Sequence, residues 1–389
     1  MQTPPFAAQD GQRIHSVDGL RALAFLLVFA FHTWEFAGHP YVPIVSGVVS
    51  QNTRPDFFVV LTGFVLFLPF ARNPARTETF EVRPYLRRRL RRIVLPYYVA
   101  LAIAILLPQL LVVMVRAAGG SASWQPFPPF ADVLTHLTFT HIFFPEYWAG
   151  INGSLWTMSL EMQLYLILPL LILLFARFGW KALGWALVIS LAYRVIVGLW
   201  LGGEPFPVPF LVGANGLGRL MEFLAGMAAA WLAFRWRHAL TPVVGAFLTL
   251  LIVLGYLVAI GDWPAWTGLR ELALGLTFGC VIVVGIAGRR VEMIFAWRPM
   301  SWIGFRAYSL FLVHQPVAWY FSEMLTKYAG VEDGPLKLAL MWTVGFLPVL
   351  GVGLLLFHLV ELPCIRWAKA TPRSTPRQVA DAGPPVLST

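Results

Sequence analysis

Long apolar runs follow one another along this chain, separated by short polar segments. A run of about 20 apolar residues spans the ~30 Å hydrocarbon core as a helix, and only a structure that satisfies its own backbone groups can do so. Ten such runs are readable, at roughly 17–36, 56–71, 92–115, 157–176, 182–201, 217–234, 240–260, 266–287, 300–322 and 338–361. The last contains Pro348, which predicts a kink. The expected fold is therefore all-α, a polytopic membrane bundle of about ten transmembrane helices. Composition agrees: 58% of the 389 residues are hydrophobic, 12% are charged and the mean hydropathy is +0.70.

The charges give the bundle a direction. Between the second and third runs lies R-N-P-A-R-T-E-T-F-E-V-R-P-Y-L-R-R-R-L-R-R, the strongest cytoplasmic signal in the chain. Alternation then places Arg177/Lys181, Arg235/Arg237, Arg289/Arg290/Arg298 and the segment from Arg366 on the same side. The other loops (37–55, 116–156, 202–216, 261–265, 323–337) carry few Lys or Arg, so both termini are expected in the cytoplasm. Three parts are expected: a cytoplasmic lead-in over 1–16, a membrane domain over 17–361 and a basic, disordered tail over 362–389. The lead-in has no basic cluster feeding a short apolar core, unlike a cleaved signal peptide.

The net charge of +10 is spread over these short segments rather than forming one soluble basic face, which excludes nucleic acid as a partner. Membrane lipids are the implied surroundings. Cys280 and Cys364 have no partner at ligand spacing, so neither a disulfide framework nor a metal site is expected. The outer loop 116–156, with W-Q-P-F-P-P-F, is expected to carry a helix within 132–144, lying at the interface or dipping into the membrane.

Ionisable residues inside membrane runs are costly and mark sites or pathways. The first run carries Asp18 and Arg21 at one end and His32 towards the other. At about 100° per residue, Arg21 and His32 return to nearly one face, roughly 16 Å apart. Depth counting at ~1.5 Å per residue puts His32, His314, Glu161, Glu222 and Arg194 in one layer of the outer half. A second layer, nearer the cytoplasm, holds Arg21 and Arg306 above the strip Arg87–Arg92, including Arg88 and Arg91, and suits an anionic ligand such as a phosphate. A carboxylate-supported imidazole in the outer layer can take a proton from a hydroxyl. A transporter for an anionic or glycan substrate is the alternative on these residues, kept open by the segment G-A-N-G-L-G-R-L at 213–220.

Several short patterns, in order, resemble the acyltransferase-3 family of integral-membrane O-acyltransferases. They are D-G-L-R followed by His32 on the same run, D-F-F-V-V-L-T-G-F (56–64), the basic strip ending in I-V-L-P (93–96), N-G-S-L-W-T-M-S-L-E-M-Q-L-Y (152–165), R-L-M-E-F-L-A-G-M (219–227), W-I-G-F-R-A-Y-S-L-F-L-V-H-Q-P (302–316) and H-L-V-E-L-P (358–363). Thr62 stands where the family usually has Ser, and E-L-P where Glu-Arg-Pro is common. The resemblance implies an acyl-CoA donor, acetyl-CoA first, taken from the cytoplasm at the plasma membrane. It implies a hydroxyl acceptor on an envelope glycan or a glycosylated small molecule at the outer face. It makes His32 the central catalytic residue, as general base or transient acyl carrier, with Glu161 and His314 in the same centre. Arg21, Arg306, Arg88 and Arg91 are then donor-binding candidates, and Asp18, Asp56, Arg194, Arg219 and Glu222 line or brace the site. Some relatives carry a fused hydrolase-like domain after the last helix. The short tail here leads to the expectation that one domain, or a separate protein, completes the transfer.

Overall fold

The computed structural model describes residues 14–43, 45–49, 54–235, 241–259, 268–287 and 289–369. Residues 1–13 of the expected lead-in, the loop 261–265 and residues 370–389 of the tail lie outside them. Among the described residues every regular element is helical. In chain order these are α1 His15–Phe36, α2 Val45–Val49, α3 Arg54–Arg72, α4 Val82–Ala117, α5 Phe130–Leu137, α6 Trp156–Phe178, α7 Trp180–Leu201 and α8 Val208–Ala214. There follow α9 Leu220–Arg235, α10 Pro242–Ala259, α11 Leu269–Ala287, α12 Arg289–Phe295, α13 Arg298–Ala329, α14 Pro335–Thr343, α15 Phe346–Leu356 and α16 Leu362–Lys369. Among the described residues, seven helical stretches are long and apolar enough to cross a membrane. The expected runs at 217–234, 240–260 and 300–322 are also helices, but α9 and α10 are short, and α13 is interrupted by Arg306, His314, Gln315 and several serines.

Two close helix pairs frame the interior, and glycine makes each possible. α1 and α13 run side by side in the same direction, and a Cβ on Gly304 would collide with the Asp18 carbonyl. α3 and α9 approach in the same way: Gly63 lies on the Phe223 carbonyl, and Gly226 on that of Val60. Without an apolar drive between helices in lipid, such backbone contact is what holds them. α11 packs beside α9, and Phe278 stacks on Phe57 of α3 at 4.8 Å.

The last expected run is interrupted near its proline. Pro348 lies in the first turn of α15 and has no N–H to donate to Val344, so the hydrogen-bond ladder lapses at Val344–Gly345 while both residues keep right-handed helical φ/ψ, within one apolar stretch over Pro335–Lys369. A π turn over Phe357–Glu361 follows and carries Glu361 inward to the Ser309 backbone N–H (3.2 Å) and hydroxyl (2.5 Å). Residues 362–369 of the expected disordered tail are helical. Cys364, Ile365 and Ala368 of α16 are buried, and the helix packs on α4.

The loop 118–155 folds back into the bundle. The Tyr97 hydroxyl, midway along α4, donates to the His136 carbonyl (3.1 Å), and Tyr98 to that of Leu137 (2.7 Å). Phe139 stacks on Tyr97 at 4.4 Å, and its carbonyl accepts from the Ser159 hydroxyl of α6. The helix α5 packs one face on the bundle, burying Asp132, Thr135 and His136, and leaves Phe130, Leu134 and Leu137 exposed. Burial pushes His136 down to about 4 and His141 down to about 3, so both rings are uncharged, and they stack at 4.0 Å with an interplanar angle of 2°.

Candidate functional site

α1 presents His32 to a cavity at the end of the bundle away from the arginine-rich segments. The His32 Nδ1–H donates to the Glu35 carboxylate at 2.8 Å, and the two side chains are 15% and 35% exposed. Three residues bring the pair onto one helix face. With Nδ1 carrying the proton, Nε2 keeps its lone pair, which is the arrangement a general base needs. His314 of α13 lies 5.2 Å from His32, ring centre to ring centre. Its Nδ1–H donates to the Phe311 carbonyl at 2.6 Å, leaving a buried Nε2 without a hydrogen-bond partner. The neighbouring Gln315 Oε1 is likewise buried and unpartnered. Trp148, Trp156, Phe206 and Phe210 wall the cavity, whose volume is about 300 Å³. Asn152 ties the infolded loop to α13 by donating to the Leu312 carbonyl (3.2 Å), while its Oδ1 accepts from the Ser154 N–H and hydroxyl.

A second cavity, of about 130 Å³, lies towards the basic end between α1, α3, α4, α6 and α13. Arg21, Arg89 and Arg92 line it together with Glu161, Tyr165, Tyr308 and Glu361. Arg21 is 28% exposed and lies 3.7 Å from Asp18. The Tyr165 hydroxyl donates to Glu161. Pro55, Phe58, Thr157 and Phe311 line both cavities, so the two meet at that ring of residues.

The structure therefore gathers some expected residues and separates others. His32 and His314 are together. Glu161 instead sits in the basic cavity, because the infolded loop starts α6 well below the level assumed in a count from the surface. Glu222 and Asp56 both accept from Arg219 (Glu222 at 2.8 Å), and the three are buried between α3 and α9. Arg194 pairs with Glu271 of α11 at 2.6 Å. Helix phase decides the basic strip. The inward face of α4 carries Tyr85, Ile93, Pro96 and Tyr97, so Arg89 and Arg92 reach the cavity. Arg88 and Arg91 lie off that lining, and Arg91 stacks on Trp367 at 4.3 Å. Arg306 is also off the lining; it stacks on Trp302 (4.2 Å) and Phe357 (4.9 Å).

Sequence reasoning passed over Glu35, Glu271 and Glu361, and held Arg89 and Arg92 only as members of the strip Arg87–Arg92. The spacing of Glu35 from His32 and the register of Arg89 and Arg92 with Ile93 and Pro96 were the available signals. Glu361 reaches the cavity through a π turn, for which the sequence carries no rule.

Comparison with known proteins gives the chain a family. The chain is similar to the peptidoglycan O-acetyltransferase OatA of Listeria monocytogenes, 23% identical over 340 residues, covering 78% of this chain and 49% of that protein. It is similar to the O-acetyltransferase OatA of Staphylococcus aureus, 24% identical over 330 residues, 77% of this chain and 50% of the relative. It is also similar to the putative membrane-bound transacylase BcsY of Komagataeibacter xylinus, 24% identical over 323 residues, 78% and 72% of the two chains. The chain spans about half the length of the OatA relatives. No solved structure matches it. The model of a family described as an acyltransferase domain matches residues 14–358, and the chain belongs to that family.

Proposed function

We propose that this chain is an integral-membrane O-acyltransferase. It moves an acyl group, acetyl first, from acyl-CoA at the cytoplasmic face to a hydroxyl of a glycan or glycosylated acceptor at the outer face of the plasma membrane. In this reading the chain crosses the membrane ten times with both termini in the cytoplasm, so the basic cavity opens inward and the His32 cavity outward. The names of the relatives, which include a peptidoglycan O-acetyltransferase, support the glycan class.

The observation that carries the proposal is the junction of two unlike cavities, one with three guanidiniums and one with a carboxylate-held imidazole. Arg21, Arg89 and Arg92 suit the phosphates of acyl-CoA, which supplies an activated thioester. His32 Nε2 takes the proton from the acceptor hydroxyl as its oxygen forms the new bond to the acyl carbon. The carbon–sulfur bond breaks, the thiolate leaves, and the imidazolium returns the proton to it. Glu35 holds the ring in the required tautomer and stabilises the imidazolium. His314 and Gln315 flank the reacting hydroxyl, and Asp56, Arg219, Glu222 and Arg194 brace the helices behind it.

The test is thiol release from acetyl-CoA by membranes carrying the chain, with base-labile acetyl appearing in envelope glycans or metabolites. His32→Ala abolishes both while the protein still inserts and folds. Full activity in that variant, or transport of an unmodified substrate without thiol release, refutes the proposal.

A further inference from the structure

Pro316 leaves one carbonyl of α13 without its helical donor, and the infolded loop supplies the bond. Proline has no N–H to give to the Leu312 carbonyl one turn back. Asn152 takes its place, Nδ2 donating to that carbonyl at 3.2 Å. The Asn152 side chain is itself held, since its Oδ1 accepts from the Ser154 N–H and hydroxyl at 3.1 and 2.8 Å. The next residue, Gly153, lies against the amide of Gln315, the residue before the proline. A Cβ on Gly153 would stand 3.0 Å from Gln315 Nε2 and 3.4 Å from Oε1. Proline, asparagine and glycine together fix where this amide sits.

Most polar side chains around the His32 cavity have their protons committed. The Ser154 hydroxyl donates to Asn152, and the Thr157 hydroxyl to the Ser154 carbonyl at 2.9 Å. His32 and Glu35 share one hydrogen bond, and His314 spends its Nδ1–H on the Phe311 carbonyl. Gln315 differs. Its Oε1 is buried, whereas its Nε2 opens on the cavity with no hydrogen-bond partner among the described residues.

We infer that Gln315 is a catalytic residue, donating through Nε2–H to the acyl oxygen as negative charge develops on it. This rests on the acyltransferase reading above. As the acceptor oxygen bonds the acyl carbon and His32 takes its proton, the carbonyl π pair moves onto the acyl oxygen. The pair returns when the carbon–sulfur bond breaks and the thiolate leaves. Gln315 gains and loses nothing in the cycle; it holds the oxyanion in between. An amide already seated by Gly153 and Asn152 needs no reorganisation at that moment, and one such donor contributes about 10²–10³ in rate.

The experiment measures thiol release from acetyl-CoA by inverted membrane vesicles carrying the full chain, with His32→Ala vesicles as the blank. Gln315→Leu lowers the maximal rate per chain by about 10²–10³ and leaves KM for acetyl-CoA within about threefold, because the guanidiniums lie in the other cavity. Gln315→Glu keeps the size of the side chain and serves if the leucine variant folds poorly. Ionised, it repels an oxyanion; protonated, it donates, so its rate relative to wild type rises as pH falls from about 8 to about 6. Gly153→Ala, which pushes the amide off its seat, lowers the maximal rate in the same direction. Maximal rates within about threefold of wild type in both Gln315 variants overturn the inference. A pH-independent ratio for Gln315→Glu also overturns it and makes the side chain a structural one. Trp148 and Trp156 carry the other side-chain N–H groups on the cavity wall. A larger loss in Trp148→Phe or Trp156→Phe than in Gln315→Leu gives the role to an indole and overturns the assignment. Wild-type release no higher than the blank refutes the underlying acyltransferase reading instead.

Discussion

Removing Arg219 is expected to be among the most damaging single changes away from the cavities. Its guanidinium bonds both Asp56 and Glu222 through Nη1, its side chain is 5% exposed, and the two carboxylates are fully buried. Taking one partner from a buried ion pair leaves a charge uncompensated and costs about 3–5 kcal/mol. Arg219 serves two carboxylates, so Arg219→Met falls at the upper end of that range, a third or more of a typical folding free energy of about 5–15 kcal/mol. Glu222→Gln is different. Its amide keeps an oxygen towards Arg219 and puts its nitrogen in place of Oε2, which has no partner. The cost stays within about 1 kcal/mol, the worth of one ordinary hydrogen bond. The double variant Arg219→Met/Glu222→Gln recovers on the order of 0.5–3 kcal/mol relative to additivity. Unfolding in mixed micelles of rising SDS content, followed by helix loss in circular dichroism, measures all three. Arg219→Met within about 1 kcal/mol of wild type, or Glu222→Gln the costlier single change, would refute the claim that this cluster compensates itself.

Glu35→Gln keeps the hydrogen-bond geometry but removes the charge that stabilises an imidazolium, so kcat for acyl transfer falls by about 10²–10⁴ while KM for acyl-CoA is retained. Arg89→Gln and Arg92→Gln raise KM for acyl-CoA, whereas Arg88→Gln and Arg91→Gln leave it within about threefold; steady-state thiol release separates the two pairs, and the reverse order refutes the assigned helix phase. In the infolded loop, His136 and His141 are held below the ordinary imidazole range by burial, and Asp132 is pushed up to about 6 by burial. The histidines add stability that is present above about pH 6.5 and lost as pH falls through about 4, while the Asp132 shift favours folding below about 3.8 and loses that contribution as pH rises through about 6. Two imidazoles outweigh one carboxyl, so acidification from pH 7 to 5 loosens the loop. Hydrogen exchange over 130–155, corrected for intrinsic rates, reads this, and His136→Phe/His141→Phe flattens the dependence.

The helical class and most helix positions were readable because lipid leaves the backbone one solution for an apolar run. His32 with His314 was also readable, since α1 and α13 run side by side from the same end and equal counts along them reach equal depth. Glu161 and Arg194 were not. Depth counting assumes that each helix begins at the surface, and the infolding of Phe139 onto Tyr97 breaks that assumption for α6. Arg194 found Glu271, a residue at the start of an apolar run that a span-by-span reading treats as interface. The position of Arg88 and Arg91 off the cavity lining has a simpler source: a run of five arginines in six positions is long enough to surround a helix, and only the buried apolar residues beyond it say which pair faces inward.

α1 lines both cavities, as α3, α6 and α13 do, and its geometry limits how the two can cooperate. Arg21 and His32 lie eleven residues apart on one continuous helix, about 16 Å at ~1.5 Å per residue. α13 cannot slide along it to change that spacing, because Gly304 is seated on the Asp18 carbonyl at one end and Ser322 donates to the Phe36 carbonyl at the other, 3.0 Å away. The four residues common to both cavities come from α3, α6 and α13, not from α1, so α1 alone fixes the separation of arginine and imidazole. In the proposed reaction, a flexible donor arm held at one end by guanidiniums meets the base at one position along its length. That is what a transfer reaction requires of two sites that never come together.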